Sequence, residues 1–316
     1  MQVSVITAVY NKEDVLIENL SHTLSQKGIE FELVLIDDKS PDRCPMLLDE
    51  LSLKEPRAKV IHHEKNGGHV AAVNTGIRNA KGDYLIVVDA DDYLNYEYAL
   101  RDMYEIAIST QCDAVFSDFL NVGLADYNST YIGKEYLIKS LRDGTYHPTT
   151  RSRLYKASVF KDNLLKNYII DDEEWSLRTI YGLSSIAIYD KNIYTRVTPP
   201  TSVTQNPSEK NYYVKSRDRL LATQEMVSWY NSIAINEKGR DLIIDRILAL
   251  YFMALNIRLT HIFNEDYAKE IDSLIFSSCK LLKYSHYSRN LKYKLFSCYA
   301  RLFGIESAMR AYRRVL

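Results

Sequence analysis

The chain has 316 residues, 46% of them apolar, enough for a sizeable core in one large domain or two. Lys and Arg (40) nearly balance Asp and Glu (41), and a net charge of −1 gives no global field for nucleic acid, which is excluded as a partner. No apolar stretch reaches transmembrane length, the N-terminal pattern is a strand rather than a signal peptide, and Cys44, Cys112, Cys279 and Cys298 show no CxxC or metal spacing, so they read as reduced, cytosolic thiols.

The first third alternates two periodicities. The β-branched run "VSVITAV" (3–9) predicts a strand. In "NKEDVLIENLSHTLSQ", Leu16, Leu20 and Leu24 fall at helical spacing, with Asn11 as N-cap. "FELVLIDD" (31–38) is a second buried strand, "MLLDELSL" a short helix and "KVIHHE" (59–64) a third strand. A helix over 69–80 closes at Lys81-Gly82, and "YLIVVDADDYL" (84–94) begins as strand four. "YEYALRDMYEIAIST" is helical again, and "DAVFSDF" (113–119) is a fifth strand. Such alternation predicts an α/β fold, a mostly parallel sheet with helices on both faces. A Pro-, Ser- and Thr-rich connection spans 198–209, and the rest reads as helices. The expected domains are therefore 1–205 and a helical region, 206–316.

Ligands of such sheets collect beyond the carboxyl ends of the strands. Asp37 and Asp38 end strand two, and Asp89, Asp91 and Asp92 follow strand four, at the same edge. Taken singly, each Asp reads as a turn or cap residue. Together they repel one another unless a cation sits among them, and a hard divalent ion that also binds substrate phosphates suits them. Residues i and i+2 of extended chain share a face, so one of Asp89 and Asp91 can ligate metal while the other holds a ribose hydroxyl. The absence of a P-loop and of G-x-G-x-x-G after strand one argues against those two nucleotide sites.

With "VSVITAVYNKEDVLIENLSHTLSQ", "FELVLIDDKSPD", "NGGHVAAVNTGI", "AKGDYLIVVDADDYL" and "DDEEWSLR" in this order, residues 3–205 resemble the family-2 glycosyltransferases of GT-A fold. The resemblance implies inverting transfer of a sugar from a nucleotide donor, usually a UDP-sugar, with Mn²⁺ or Mg²⁺ as cofactor. By position it assigns Thr7, Val9 and Tyr10 to the base and ribose pocket, and Asp38 with Asp37 to the uracil. Asn66 and Gly68 form the turn near the nucleotide; Gly67 stands between them where the family usually has a basic or polar residue. Asp89 would hold the ribose, with Ala90 between it and the metal ligand Asp91; Asp89 also counts toward the metal.

A second acidic cluster, "IIDDEEWSLR" (169–178), reads either as a dipole-favoured helix start or as the family's Glu-Asp motif, here Asp171-Asp172. The resemblance makes Asp172 the catalytic base. An inverting displacement needs a carboxylate to take the acceptor hydroxyl's proton. Trp175 could floor the acceptor sugar or sit in the core, Arg178 could pair with Glu174 or anchor the helix, and Asp171 and His147 are further acceptor-side candidates. "SVT" (202–204) resembles a segment near the diphosphate.

Residues 280–316 carry nine Lys or Arg and one acid, Glu306, a local charge of +8 (9 − 1) interleaved with Leu, Phe and Tyr. That pattern suits peripheral contact with an anionic membrane, a solvated face, or packing on the acidic domain. A glycan or lipid-linked glycan acceptor at the cytoplasmic side of the inner membrane would fit: undecaprenyl-diphosphate glycan, lipopolysaccharide or capsule. The alternatives are a sugar nucleotidyltransferase and a catalytically silent sugar-nucleotide or glycan-binding subunit.

Overall fold

The computed structural model describes residues 1–118, 129–166, 168, 171–197, 207–233 and 237–314, with the side chains of 171, 237 and 238 outside that description. The chain divides into two compact units, Met1–Asn167 with Trp175–Thr198, and Tyr168–Glu174 with Pro199–Leu316. The expected cut at 205/206 and the "SVT" segment lie outside the described residues. The short stretch 168–174 groups with the second unit rather than the first.

In the first unit the elements run β1 (Val3–Val9), α1 (Leu16–Leu24), β2 (Phe31–Asp37), α2 (Cys44–Lys54), β3 (Ala58–His62), α3 (His69–Asn79), β4 (Tyr84–Val87), β5 (Tyr93–Leu94), α4 (Ala99–Thr110) and β6 (Ala114–Ser117). Then come β7 (Thr130–Tyr131), α5 (Gly133–Asp143), β8 (Arg153–Lys156), α6 (Ala157–Asp162), α7 (Asp171–Gly182, its first four residues grouping with the second unit), β9 (Ile186–Tyr189) and β10 (Tyr194–Thr195). The main sheet has the order β3-β2-β1-β4-β8-β6-β9-β7. β1 lies parallel between β2 and β4, in register Val9 to Asp37 and Ile6 to Val87. All seven residues of β2 are buried, as expected for a strand covered on both faces.

Two features depart from the expected pattern. β8 runs antiparallel between β4 and β6, so the sheet is mixed. Asn11 does not cap α1: it sits at φ +54°, and the helix begins five residues later, where the Lys12 carbonyl accepts from the N–H groups of Val15 (3.1 Å) and Leu16 (3.0 Å). The left-handed residue turns the chain back over the sheet edge before the helix starts.

The second unit is helical: α8 (Glu209–Ser232), α9 (Glu237–Thr260), α10 (Glu265–Ser278), a 3₁₀ segment (Cys279–Tyr287), α11 (Leu291–Phe303) and α12 (Ile305–Arg313). Ser208 caps α8 by accepting from Asn211 N–H at 3.3 Å. Ile247, Leu248, Tyr251, Phe252 and Leu255 of α9 are fully buried. Phe252 stacks on Tyr293 at 3.9 Å, which ties α9 to α11. Among the described residues no helix is long and apolar enough to cross a membrane.

Candidate active site

Parallel pairing of β1, β2 and β4 brings their carboxyl ends to one edge, so Val9, Asp37 and the turn after Val87 meet there. Thr7 is buried in β1, and its Oγ1 has no hydrogen-bond partner among the described residues. The Val9 carbonyl accepts from Asp38 N–H at 2.9 Å, while Tyr10 is exposed. Asp37 is buried; its carboxylate accepts from Ser40 N–H (3.0 Å) and faces His62 Nδ1 (3.0 Å). His62 also meets Asp49 at 3.1 Å. Burial works against its charge, but Asp37 and Asp49 raise its pKa above the ordinary 6.5.

The turn Asn66-Gly67-Gly68 wraps around Asp38. Gly67 N–H (2.8 Å) and Gly68 N–H (2.7 Å) each donate to one carboxylate oxygen, and Asn66 Nδ2 donates to the Asp38 carbonyl (3.0 Å). His63 Nδ1 lies 2.8 Å from the same carboxylate. Gly68 adopts φ +87°, where a side chain is strained. A Cβ at Gly67 would lie 2.8 Å from that of Ala71, so the usual basic or polar residue lacks room as the backbone stands. Asp38 thus has a structural duty beside any contact with a base.

After β4 the chain turns tightly, Asp92 N–H donating to the Asp89 carbonyl at 3.0 Å. Carboxylate oxygens of Asp89, Asp91 and Asp92 then all lie within 4.8 Å of one another. The three differ in their partners. Asp92 is buried, and its oxygens accept from Tyr194 Oη and Val197 N–H, both at 2.8 Å. Burial and then the neighbouring Asp89 charge push its pKa up to about 6. Asp89 meets Arg151 Nε at 2.5 Å and His69 Nε2 at 3.9 Å. Burial opposes its charge, yet Arg151 and His69 outweigh that and hold the carboxyl below its usual range. Its Oδ1 is buried without a hydrogen bond among the described residues. Asp91 meets Lys12 Nζ at 2.5 Å. Ala90 is buried between them, its carbonyl accepting from Asn19 Nδ2 (3.1 Å), which fixes the turn to α1.

These hard oxygen donors suit Mn²⁺ or Mg²⁺. Asp91 and the unbonded Oδ1 of Asp89 have capacity for an ion; Asp92 is committed to Tyr194 and Val197. Lys12 and Tyr194 escaped the sequence reading, because their partners lie 79 and 102 residues away and no local period links them.

Elsewhere, His147 is half-buried in the segment before β8, and its carbonyl accepts from Arg153 at 2.7 Å. Asp172 is half-buried in the first turn of α7; the Asp171 side chain lies outside the description. In the second unit Arg246 clamps Glu173 through two bonds of 2.7 Å. Arg178 donates to Asn163 Oδ1 at 2.8 Å, which anchors α7. Trp175 corrects one expectation. It is fully buried, stacks on Phe160 (4.8 Å) and donates to the Asn163 carbonyl, so it is a core residue and offers no face to a sugar.

The mixed sheet, with an acidic turn at its carboxyl edge, is a GT-A-type fold. The sequence model of Glycosyl transferase family 2 matches residues 4–168, and the chain belongs to that family and is a glycosyltransferase. Glycosyltransferase GlyG of Streptococcus pneumoniae is 27% identical over 209 residues, 61% of this chain and 69% of that protein. A poly(ribitol-phosphate) beta-glucosyltransferase of Bacillus spizizenii is 30% identical over 167 residues, 52% of this chain but 26% of its own. The structure of S. aureus TarS in complex with UDP-GlcNAc shares the fold with TM-score 0.75 at 20% identity, covering 99% of this chain and 92% of that one. Mannosyltransferase PcManGT of Pyrobaculum calidifontis, in complex with GDP-Man and Mn²⁺, follows at TM-score 0.59 and 13% identity, covering 99% and 83%. Family membership sets aside the nucleotidyltransferase alternative.

Proposed function

We propose that this chain transfers a sugar, with inversion, from a UDP-sugar to a hydroxyl of a glycan or lipid-linked glycan during surface-polysaccharide synthesis. The observation that carries the reading is the acidic turn at the sheet edge, with three carboxylates within 4.8 Å. The UDP-GlcNAc complex of TarS and the GDP-Man and Mn²⁺ complex of PcManGT support a nucleotide-sugar donor with a divalent ion. The named function of the Bacillus spizizenii relative, glucosyl transfer to poly(ribitol-phosphate), supports a polymer as acceptor.

In this reading Asp91 and Asp89 hold Mn²⁺ or Mg²⁺, which supplies charge neutralisation for the leaving diphosphate. Thr7, Val9, Tyr10 and Asp37-Asp38, with the Asn66–Gly68 turn, bind uridine. Asp172 accepts the proton of the attacking hydroxyl, with His147 and Asp171 on the acceptor side. Positioned general-base help of this kind contributes ~10²–10⁴-fold. UDP release should therefore be Mn²⁺-stimulated for one of a panel of UDP-sugars. Asp172→Asn should cut it by about 10²–10⁴-fold with donor affinity retained. Near-normal turnover of that variant would place the base elsewhere.

The acceptor's lipid would be met at the inner face of the cytoplasmic membrane. Leu291, Leu295, Tyr299, Leu302 and Phe303 of α11 are each more than two-fifths exposed and share one helical face, within the segment of +8 charge. An apolar face among cations suits an anionic headgroup layer. Sedimentation with phosphatidylglycerol vesicles should be lost on Leu295→Asp with Leu302→Asp; unchanged sedimentation would refute the contact.

A further inference from the structure

Asp91 has its own cation. Lys12 Nζ lies 2.5 Å from Asp91 Oδ2, and both side chains are mostly shielded, 24% and 21% exposed. The Lys12 backbone is pinned: its carbonyl starts α1, and its N–H donates to Cys44 Sγ at 3.3 Å. Its four-carbon side chain is not pinned, so the ammonium can move while the loop stays. Asp89 is covered in the same way by Arg151.

Counting charges shows what this does. Metal alone adds a double positive charge to a rim where Lys12 and Arg151 already answer two carboxylates. A nucleotide-sugar diphosphate alone adds a double negative charge to the same rim of three carboxylates and two cations. Added together they cancel. We propose that Lys12 is a built-in counter-ion that competes with the divalent ion for Asp91, so that metal binds weakly until a diphosphate arrives to take the ammonium. Lys12 is a positioning residue: it makes metal binding depend on the nucleotide. By thermodynamic reciprocity the metal must raise nucleotide affinity by the same factor. This inference rests on Asp91 being the metal ligand.

The test is Mn²⁺ binding followed by electron paramagnetic resonance, with and without UDP, and it needs no turnover. Lys12→Met keeps the length and removes the charge. It should bind Mn²⁺ alone roughly tenfold tighter than the native chain, equivalent to ~1.4 kcal/mol. The tightening by UDP should shrink correspondingly. Lys12→Arg, which keeps the charge, should retain weak metal binding and strong UDP dependence, and thermal melts of all variants check folding. Equal Mn²⁺ affinity in native and Lys12→Met protein, with Asp91→Asn binding none, would overturn this inference alone. Mn²⁺ binding that survives Asp91→Asn would overturn the metal assignment and this inference with it.

Discussion

The two ends of the central sheet both hold carboxylates, and they are neutralised in different ways. At the amino end Glu32 of β2 is buried beside Ser4, its register neighbour on β1. One oxygen accepts from Ser4 Oγ and Lys81 N–H, both at 2.6 Å, and Gly82 N–H donates to Ser4 Oγ at 2.7 Å. These donors are short or belong to the backbone. At the carboxyl end Asp89 and Asp91 are answered by the long side chains of Arg151 and Lys12. The first arrangement is fixed by folding; in the second the charges sit on long, flexible stems that can swing away while the backbone stays. A buried carboxylate held by neutral, immobile donors belongs to the scaffold, and one held by flexible cations is available for chemistry.

Breaking the amino end should cost most in stability. Glu32→Ala leaves the buried Ser4 hydroxyl without its acceptor and releases the part-buried Lys81 N–H, so chemical denaturation should register a loss of ~1–3 kcal/mol. Glu32→Gln keeps an acceptor and should lose less than half as much. Asp91→Asn at the other end should move stability by no more than ~1 kcal/mol, since a partly exposed ion pair contributes little. The same variant should lose Mn²⁺-dependent UDP affinity in calorimetry. A large stability loss with Asp91→Asn and none with Glu32→Ala would reverse the comparison.

His62 gives the smallest effect. Its folded pKa is raised by Asp37 and Asp49, so its stabilisation is fully present below about 6.5 and fades as pH rises through the higher folded value. The stability difference between native and His62→Gln protein should therefore be larger at about pH 5.5 than at about pH 8. A difference independent of pH would show that the imidazole acts only by packing.

Much of the carboxyl edge was legible in the chain. Continuous Val, Ile and Leu runs announce buried parallel strands, and the acids that end them announce the edge. Strand β8, with the sequence RLYK, carries no such run and sits inside a mostly parallel sheet, so its direction follows from tertiary pairing alone. Asn11 has the chemistry of a helix cap, but its left-handed backbone postpones the helix. Trp175 follows four acids in sequence yet points into the Phe160 and Tyr155 cluster, because a helix has an inward face wherever its first turn is acidic. The ion pairs at the rim join loops 62 and 79 residues apart, a distance over which periodicity is silent.

The reversed strand β8 has a further effect. A parallel sheet equips its working edge only from loops that leave strands. Because β8 runs the other way, the loop that enters it arrives at that same edge, where Val87 bridges Arg151. The edge is thus furnished from an exit and an entrance at once. Residues 147–152 can therefore change without altering β4, whose exit carries the aspartates, so one side of this edge can vary while the other stays as it is.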